Sequence, residues 1–393
     1  MYRRDFLKFA AVTPTASWIS RDRPSKKPMY RACIIGDTGH GNYGHSQHLL
    51  WTLHPNVKVV GLADPDPRGR QEHAAALGST NTYADFREML TREKPDLVAV
   101  GPRWTVNHRD YVVACAEVAA HGIIEKPLAV DMAEADQMLK ATSSRNLKWA
   151  ISFNQAVSPI LQHARKVVIE DGLIGEILEI RARGKEDRRA GAEDMIVLGC
   201  HLFDIMISFL GPPLWCSSSI SEGERPASVE DVREATESLG PIVGNRIQAT
   251  FGFEGSINGY FSSQKNSHGN QGRWGMDIYG TQGMVTIRTN HVARAAWLPD
   301  PTWATGKDRP AWRPLPGAPT VEPGSSEVWY YAPIVTDLIE AIEMNREPRP
   351  SLADGRAALE MTQAVFESHI QGGQPVRFPL SRRDHPLKRW GAS

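Results

Sequence analysis

The stretch Arg31-Ala32-Cys33-Ile34-Ile35-Gly36-Asp37-Thr38-Gly39-His40-Gly41-Asn42-Tyr43-Gly44 decides how the rest of the chain is read. A short apolar run ends at Gly36 and gives way to a loop containing Gly39-x-Gly41-x-x-Gly44. A helical pattern follows over residues 45–53. Glycines at these spacings permit a tight turn, let the backbone approach a diphosphate, and lead into a helix N-terminus that attracts anionic charge. A second apolar run, Val57–Ala63, ends at Asp64, an acid about 20 residues beyond the last glycine. That acid is placed to hold ribose hydroxyls and to repel a 2′-phosphate, which favours NAD. Arg68 and Arg70 lie close enough to leave NADP open. Gly36, Gly39, Gly41, Asn42, Tyr43, Gly44, Asp64 and Arg68 form the expected cofactor set on this side of the domain.

Outward from that loop, strands alternate with helical stretches. Leu97–Val100 is a buried strand, residues 111–120 a helix, and residues 122–124 a further strand. This alternation indicates βαβ units and a parallel sheet. The last strand runs into Glu125-Lys126-Pro127, at the carboxyl edge where open α/β folds bind their ligands.

The 393 residues are enough for two domains, and 41% hydrophobic residues suffice for ordinary cores. Lys+Arg and Asp+Glu are both 45, so no net field favours nucleic acid or an anionic membrane. No apolar run reaches the roughly 20 residues that span a bilayer. Arg3-Arg4-Asp5-Phe6-Leu7-Lys8, followed by a mildly apolar stretch, resembles a twin-arginine export signal over residues 1–28. Pro14 and Trp18 interrupt the stretch and no Ala-x-Ala cleavage site follows. The expectation is export to the periplasm with the cofactor already bound; the alternative is a basic terminus on a cytoplasmic protein. Cys33, Cys115, Cys200 and Cys216 have neither metal-finger nor Cys-x-x-Cys spacing, and read as unpaired thiols.

The run from Asp96 to Val130, with Gly101-Pro102, His108 and Glu125-Lys126-Pro127, resembles the glucose-fructose oxidoreductase/inositol dehydrogenase/rhizopine-catabolism (Gfo/Idh/MocA) family. The likeness continues through Lys166-Val167-Val168-Ile169-Glu170-Asp171-Gly172-Leu173-Ile174-Gly175-Glu176 and Ile278-Tyr279-Gly280-Thr281-Gln282-Gly283 to the closing Asp337-Leu338-Ile339-Glu340-Ala341-Ile342 and Asp354-Gly355-Arg356. The resemblance implies a Rossmann dinucleotide-binding domain over 29–150 and an α+β substrate and oligomerisation domain with a large open, mainly antiparallel sheet over 151–330. Helices and a tail over 331–393 would pack back on the core. It implies assembly as a homodimer or homotetramer through that sheet, a sugar or cyclitol substrate, cofactor contacts from Pro102, His108, Glu125 and Lys126, and a cis Lys126–Pro127 bond. Period-two runs such as residues 246–253 agree with such a sheet independently.

Moving a hydride off a secondary alcohol requires removal of the hydroxyl proton and stabilisation of charge on the oxygen. Lys126 is suited to the second task. His201, in a segment similar to the family's Asp-x-x-x-His-x-x-Asp, is the candidate base. This chain departs at the acid four residues before it, which is Val197; Asp194, two turns away, is the available substitute. Asn154, Asp194, His268 and Arg273 join Lys126 and His201 as candidate substrate contacts. The spacing of Glu193, Asp194, His201 and Asp204 matches no metal motif. Three functions fit: an NAD(P)-dependent dehydrogenase of a sugar, cyclitol or derivative; a glycoside-cleaving enzyme that cycles bound NAD; and a non-catalytic sugar-binding module.

Overall fold

A computed structural model describes residues 29–78, 81–265, 273–289 and 292–391. The twin-arginine-like stretch and His268 lie outside the described residues. Six strands, β1 (Tyr30–Ile35), β2 (Val57–Ala63), β3 (Asn81–Tyr83), β4 (Leu97–Val100), β5 (His121–Ile124) and β6 (Trp149–Ile151), form one sheet in the order β3-β2-β1-β4-β5-β6. Every pairing in it is parallel. This is the dinucleotide-binding order, with its switch point between β1 and β4. The strands are nearly all apolar because both faces are covered. Ala32, Ile34, Leu62, Leu97, Ala99 and Ile123 face one core, while Cys33, Ile35, Ala63, Val98, Val100 and Ile124 face the other.

The expected helix over residues 45–53 is instead a seven-residue 3₁₀ helix, Gln47–Leu53. Gly44 and Ser46 both adopt left-handed backbone conformations, which prevents an α-helix from starting at His45. The other crossovers are α-helical: α1 (Pro67–Ala76), α2 (Phe86–Glu93), α3 (His108–Glu117) and α4 (Met132–Ser143). Asp66, Asp85 and Asp131 cap three of them by accepting backbone N–H bonds.

The second sheet is mixed. Strand β7 (Ile177–Arg183) pairs in parallel with Asn258–Gln264, and the remaining ladders are antiparallel. Helices Cys200–Leu210 and Leu352–Ile370 pack together, the second also against strand Trp215–Glu222, and this core joins one face of the first sheet. The opposite face of the first sheet is covered by the 3₁₀ helix and by helix Ala332–Glu343. All four cysteines are buried and free.

Candidate active site

The sheet's carboxyl edge is organised around Glu125. Its side chain is wholly buried and accepts hydrogen bonds from the Lys126 backbone N–H (2.9 Å), from the His45 backbone N–H (3.2 Å) and from His45 Nδ1 (2.6 Å). Burial pushes the carboxyl up, but His45 and Lys126 outweigh it and hold the group at about 2. An ionised carboxylate only accepts, so His45 carries its proton on Nδ1. Gly44 makes this packing possible: its φ is +58°, and a Cβ there would stand 2.6 Å from Glu125 Cγ.

Lys126 follows, with its bond to Pro127 cis as the family resemblance implies. The side chain is 3% exposed, and Nζ donates to the carbonyl of Val197 at 3.2 Å. Val197 lies in a π-helical turn, Met195–Gly199, that precedes helix Cys200–Leu210. Such widened turns recur at functional sites because they re-aim backbone groups. Where the family often has a carboxylate, this chain thus offers Lys126 a backbone oxygen instead.

His201 opens the helix that follows. It is buried against Phe153 and Trp274, with ring centroids at 5.3 and 6.0 Å, and its Nδ1 has no hydrogen-bond partner among the described residues. Burial, with Lys126 second, drives its pKa well below the usual histidine range, so the ring is neutral and able to accept a proton. Asp194 does not serve as its partner. It is fully buried and accepts from Ser263 Oγ (2.5 Å), Glu186 N (3.0 Å) and Lys185 N (3.3 Å), in space left by Gly184. Its bonds knit the end of β7 to its neighbour strand and leave it no role as the His201 partner. Glu193 is taken by the Thr236 hydroxyl, and no metal-holding group of three or more His, Cys, Asp or Glu occurs among the described residues.

On the glycine-loop side the loop closes on itself through Asp37 and Asn42 (Asn42 N to Asp37 O, 2.8 Å). Gly39 has no heavy atom within 4 Å of where a Cβ would stand, so its backbone is open to close approach by a diphosphate. That exposed loop and the Lys126 edge fit a dinucleotide; Gly39, His40 and Asn42 are the exposed loop residues placed to hold it, His40 with its Nδ1 on the Asp37 carboxylate at 3.0 Å. Three expected contacts are arranged differently. Asp64 is fully buried, its carboxylate accepting from Thr38 N (3.1 Å), Thr38 Oγ1 (2.7 Å) and Asp66 N (2.9 Å), so it anchors the glycine loop instead of facing a ribose. Tyr43 lies buried over Gly36 and stacks on His73 at 3.8 Å. His108 is fully buried between the carbonyls of Pro102 (2.7 Å) and Leu128 (3.0 Å), tying together the loops after β4 and β5. Arg70 donates to the carbonyl of Asp64, while Arg68 is exposed on α1.

Lys126, His201 and Asn154 meet in one cavity of about 190 Å³. Arg273 is turned away and pairs with Glu186 at 3.0 Å. The sequence reading missed His45, Arg103, Lys185, Arg189, Glu237 and Trp274, which also line the cavity. Two signals were available: His45 directly follows the last loop glycine, and the charged run Lys185-Glu186-Asp187-Arg188-Arg189 interrupts the chain between a strand and a helix. Glu237 and Trp274 had none, because folding alone brings them here.

Strand order, glycine loop and edge lysine are together those of an NAD-binding oxidoreductase. The comparisons narrow this further. The chain belongs to the Gfo/Idh/MocA family: the model of the family's NAD-binding Rossmann fold matches residues 31–153, and that of its C-terminal alpha/beta domain matches residues 166–378. It is 26% identical to the levoglucosan dehydrogenase of Pseudarthrobacter phenanthrenivorans, over 85% of this chain and 95% of that one. It is 22% identical to the inositol 2-dehydrogenase of Rhizobium meliloti, over 85% and 96%. A solved levoglucosan dehydrogenase in complex with NADH and levoglucosan superposes with a TM-score of 0.71 at 21% identity, covering 89% of this chain and 99% of that chain, and supports the fold.

Proposed function

We propose that this protein transfers hydride between NAD and a secondary hydroxyl of a sugar, cyclitol or closely related polyol. The observation that carries the reading is the meeting of Lys126 and neutral His201 in one small cavity at the sheet edge. Bound NAD supplies the hydride acceptor. Lys126 donates a hydrogen bond to the substrate oxygen and stabilises charge developing there. His201, unprotonated, takes up the hydroxyl proton. Glu125 keeps Lys126 in place through its backbone and balances its charge, while Phe153 and Trp274 keep water from the imidazole. The similarity to a levoglucosan dehydrogenase and an inositol 2-dehydrogenase supports a cyclic polyol substrate.

The test is to denature the purified protein and look for released NAD(H), then to follow NADH formation over a panel of sugars and cyclitols. Lys126→Met is expected to lower kcat on the order of 10²-fold or more while leaving NADH affinity nearly unchanged. A protein without nucleotide affinity would sink the reading. Glycoside cleavage without net NADH would replace it with a redox-neutral cycle.

A further inference from the structure

The cavity is more cationic than a neutral polyol needs. Among the described residues, Arg103, Lys126, Lys185 and Arg189 line it against a single carboxylate, that of Glu237. Arg189 is fully engaged, with Asp187 on two sides (3.1 and 2.7 Å) and with Glu237 (3.2 Å). Arg103 and Lys185 are not. Among the described residues, Arg103 Nε is buried without a hydrogen-bond partner, its nearest carboxylate oxygen being on Glu237 at 3.9 Å. Lys185 Nζ is also 3.9 Å from its nearest acid, Asp187. Both separations are too long for a hydrogen bond, so each cation keeps donors to spare. His201 Nδ1 and Trp274 Nε1, in the same walls, are likewise buried and have no partner among the described residues. Buried polar groups are ordinarily paired, and a cluster of unpaired polar groups around a cavity marks what the ligand must supply.

Resting on the redox reading above, we propose that the substrate is a carboxylate-bearing sugar or cyclitol, such as a uronate, whose carboxylate is received by Lys185 and Arg103. Lys185 follows β7 in the second domain and Arg103 follows β4 in the first, so one anion bridges the two domains across the cavity. Planar guanidinium donors match a carboxylate's two oxygens, and a cavity of about 190 Å³ suits a single ring.

The experiment uses the full chain loaded with NADH and reads tryptophan fluorescence, to which Trp274 contributes from the cavity wall. Glucuronate and galacturonate are titrated against glucose, galactose and myo-inositol, for the native protein and for Lys185→Gln, Lys185→Arg and Arg103→Gln. NADH affinity is measured separately for each. Uronates should bind at least about tenfold tighter than their neutral parents. The preference should weaken with added salt, fall to about twofold or less in Lys185→Gln, and recover in Lys185→Arg. Equal or absent binding of uronates, or a preference that survives Lys185→Gln, overturns the proposal. So does a loss traced to weaker NADH binding, because that would assign these cations to the cofactor's diphosphate. Uronate binding with no NADH formation on any substrate would sink the redox reading and leave this one standing. Turnover of neutral polyols with no preference for the anion would do the reverse.

Discussion

The most unusual residue in the site is Val197. It stands where a carboxylate would orient His201, and only its carbonyl takes part, bonded to Lys126. The imidazole is therefore neutral and buried: Glu125 favours its charged form, but burial and the charge on Lys126 outweigh it. Val197→Asp puts a carboxylate of similar size on the helix face one turn before His201. A nearby negative charge favours the imidazolium, raising the pKa that burial has lowered. Since the base must be unprotonated to accept the hydroxyl proton, the acidic limb of the kcat/KM profile should move to higher pH. An unmoved limb would show that the new carboxylate serves Lys126 alone. Lys126, His201 and Asn154 were legible in the sequence because each sits at a fixed offset from a strand end or a helix start. Asp64 and Asp194 were not, because what occupies their carboxylates, Thr38 and Ser263, is set by distant loop packing.

Among the elements, strands were the most readable: Val57–Ala63 and Leu97–Val100 are apolar runs with unambiguous ends. The helix after the glycine loop misled, since apolar spacing does not reveal that Ser46 turns left-handed and shortens it to a 3₁₀ segment. Helix Cys200–Leu210 conceals a different liability on the side away from the cavity. Asp204 is buried there, and burial first, then the nearby Asp354 carboxylate, push its pKa up to about 8, with Arg349 opposing. In the unfolded chain the group titrates near 3.9. Between those values the folded state holds a proton that the unfolded state has released. Asp204 therefore erodes stability as pH climbs from about 4 to about 8, and the penalty is constant above that. Asp204→Asn should leave stability little changed at pH 4.5 and raise it by roughly 2–4 kcal/mol at pH 8. Thermal melts of both proteins at the two pH values check this; an equal difference at both would refute the buried-acid account.

At the scale of the whole molecule, the parallel order of the first sheet was legible from alternating strands and helices, but which segment would cover each of its faces was not. An unbroken apolar run says that both faces are buried, not by what. One face is closed from far along the chain: Val328, Tyr331, Ile334, Val335, Leu338 and Ile339 pack with Ile34, Leu50, Trp51, Leu62 and Ala99. Each large side chain so buried contributes about 1.5–3 kcal/mol. Together they approach the 5–15 kcal/mol by which a native protein typically exceeds its unfolded state. The cofactor domain is accordingly not an independent folding unit, and its stability depends on residues some 300 positions downstream of its first strand. Leu338→Ala, at a site with no exposure, should cost 2–5 kcal/mol in denaturant unfolding, and should weaken NADH binding only as far as it populates unfolded protein. A chain cut after residue 327 should lose its cooperative transition altogether, because Trp51 and the underside of β1 and β4 would face water. If that shortened chain instead melted in one sharp transition and bound NADH as the full chain does, the helix would be an ornament on the fold and the shared core would be disproved.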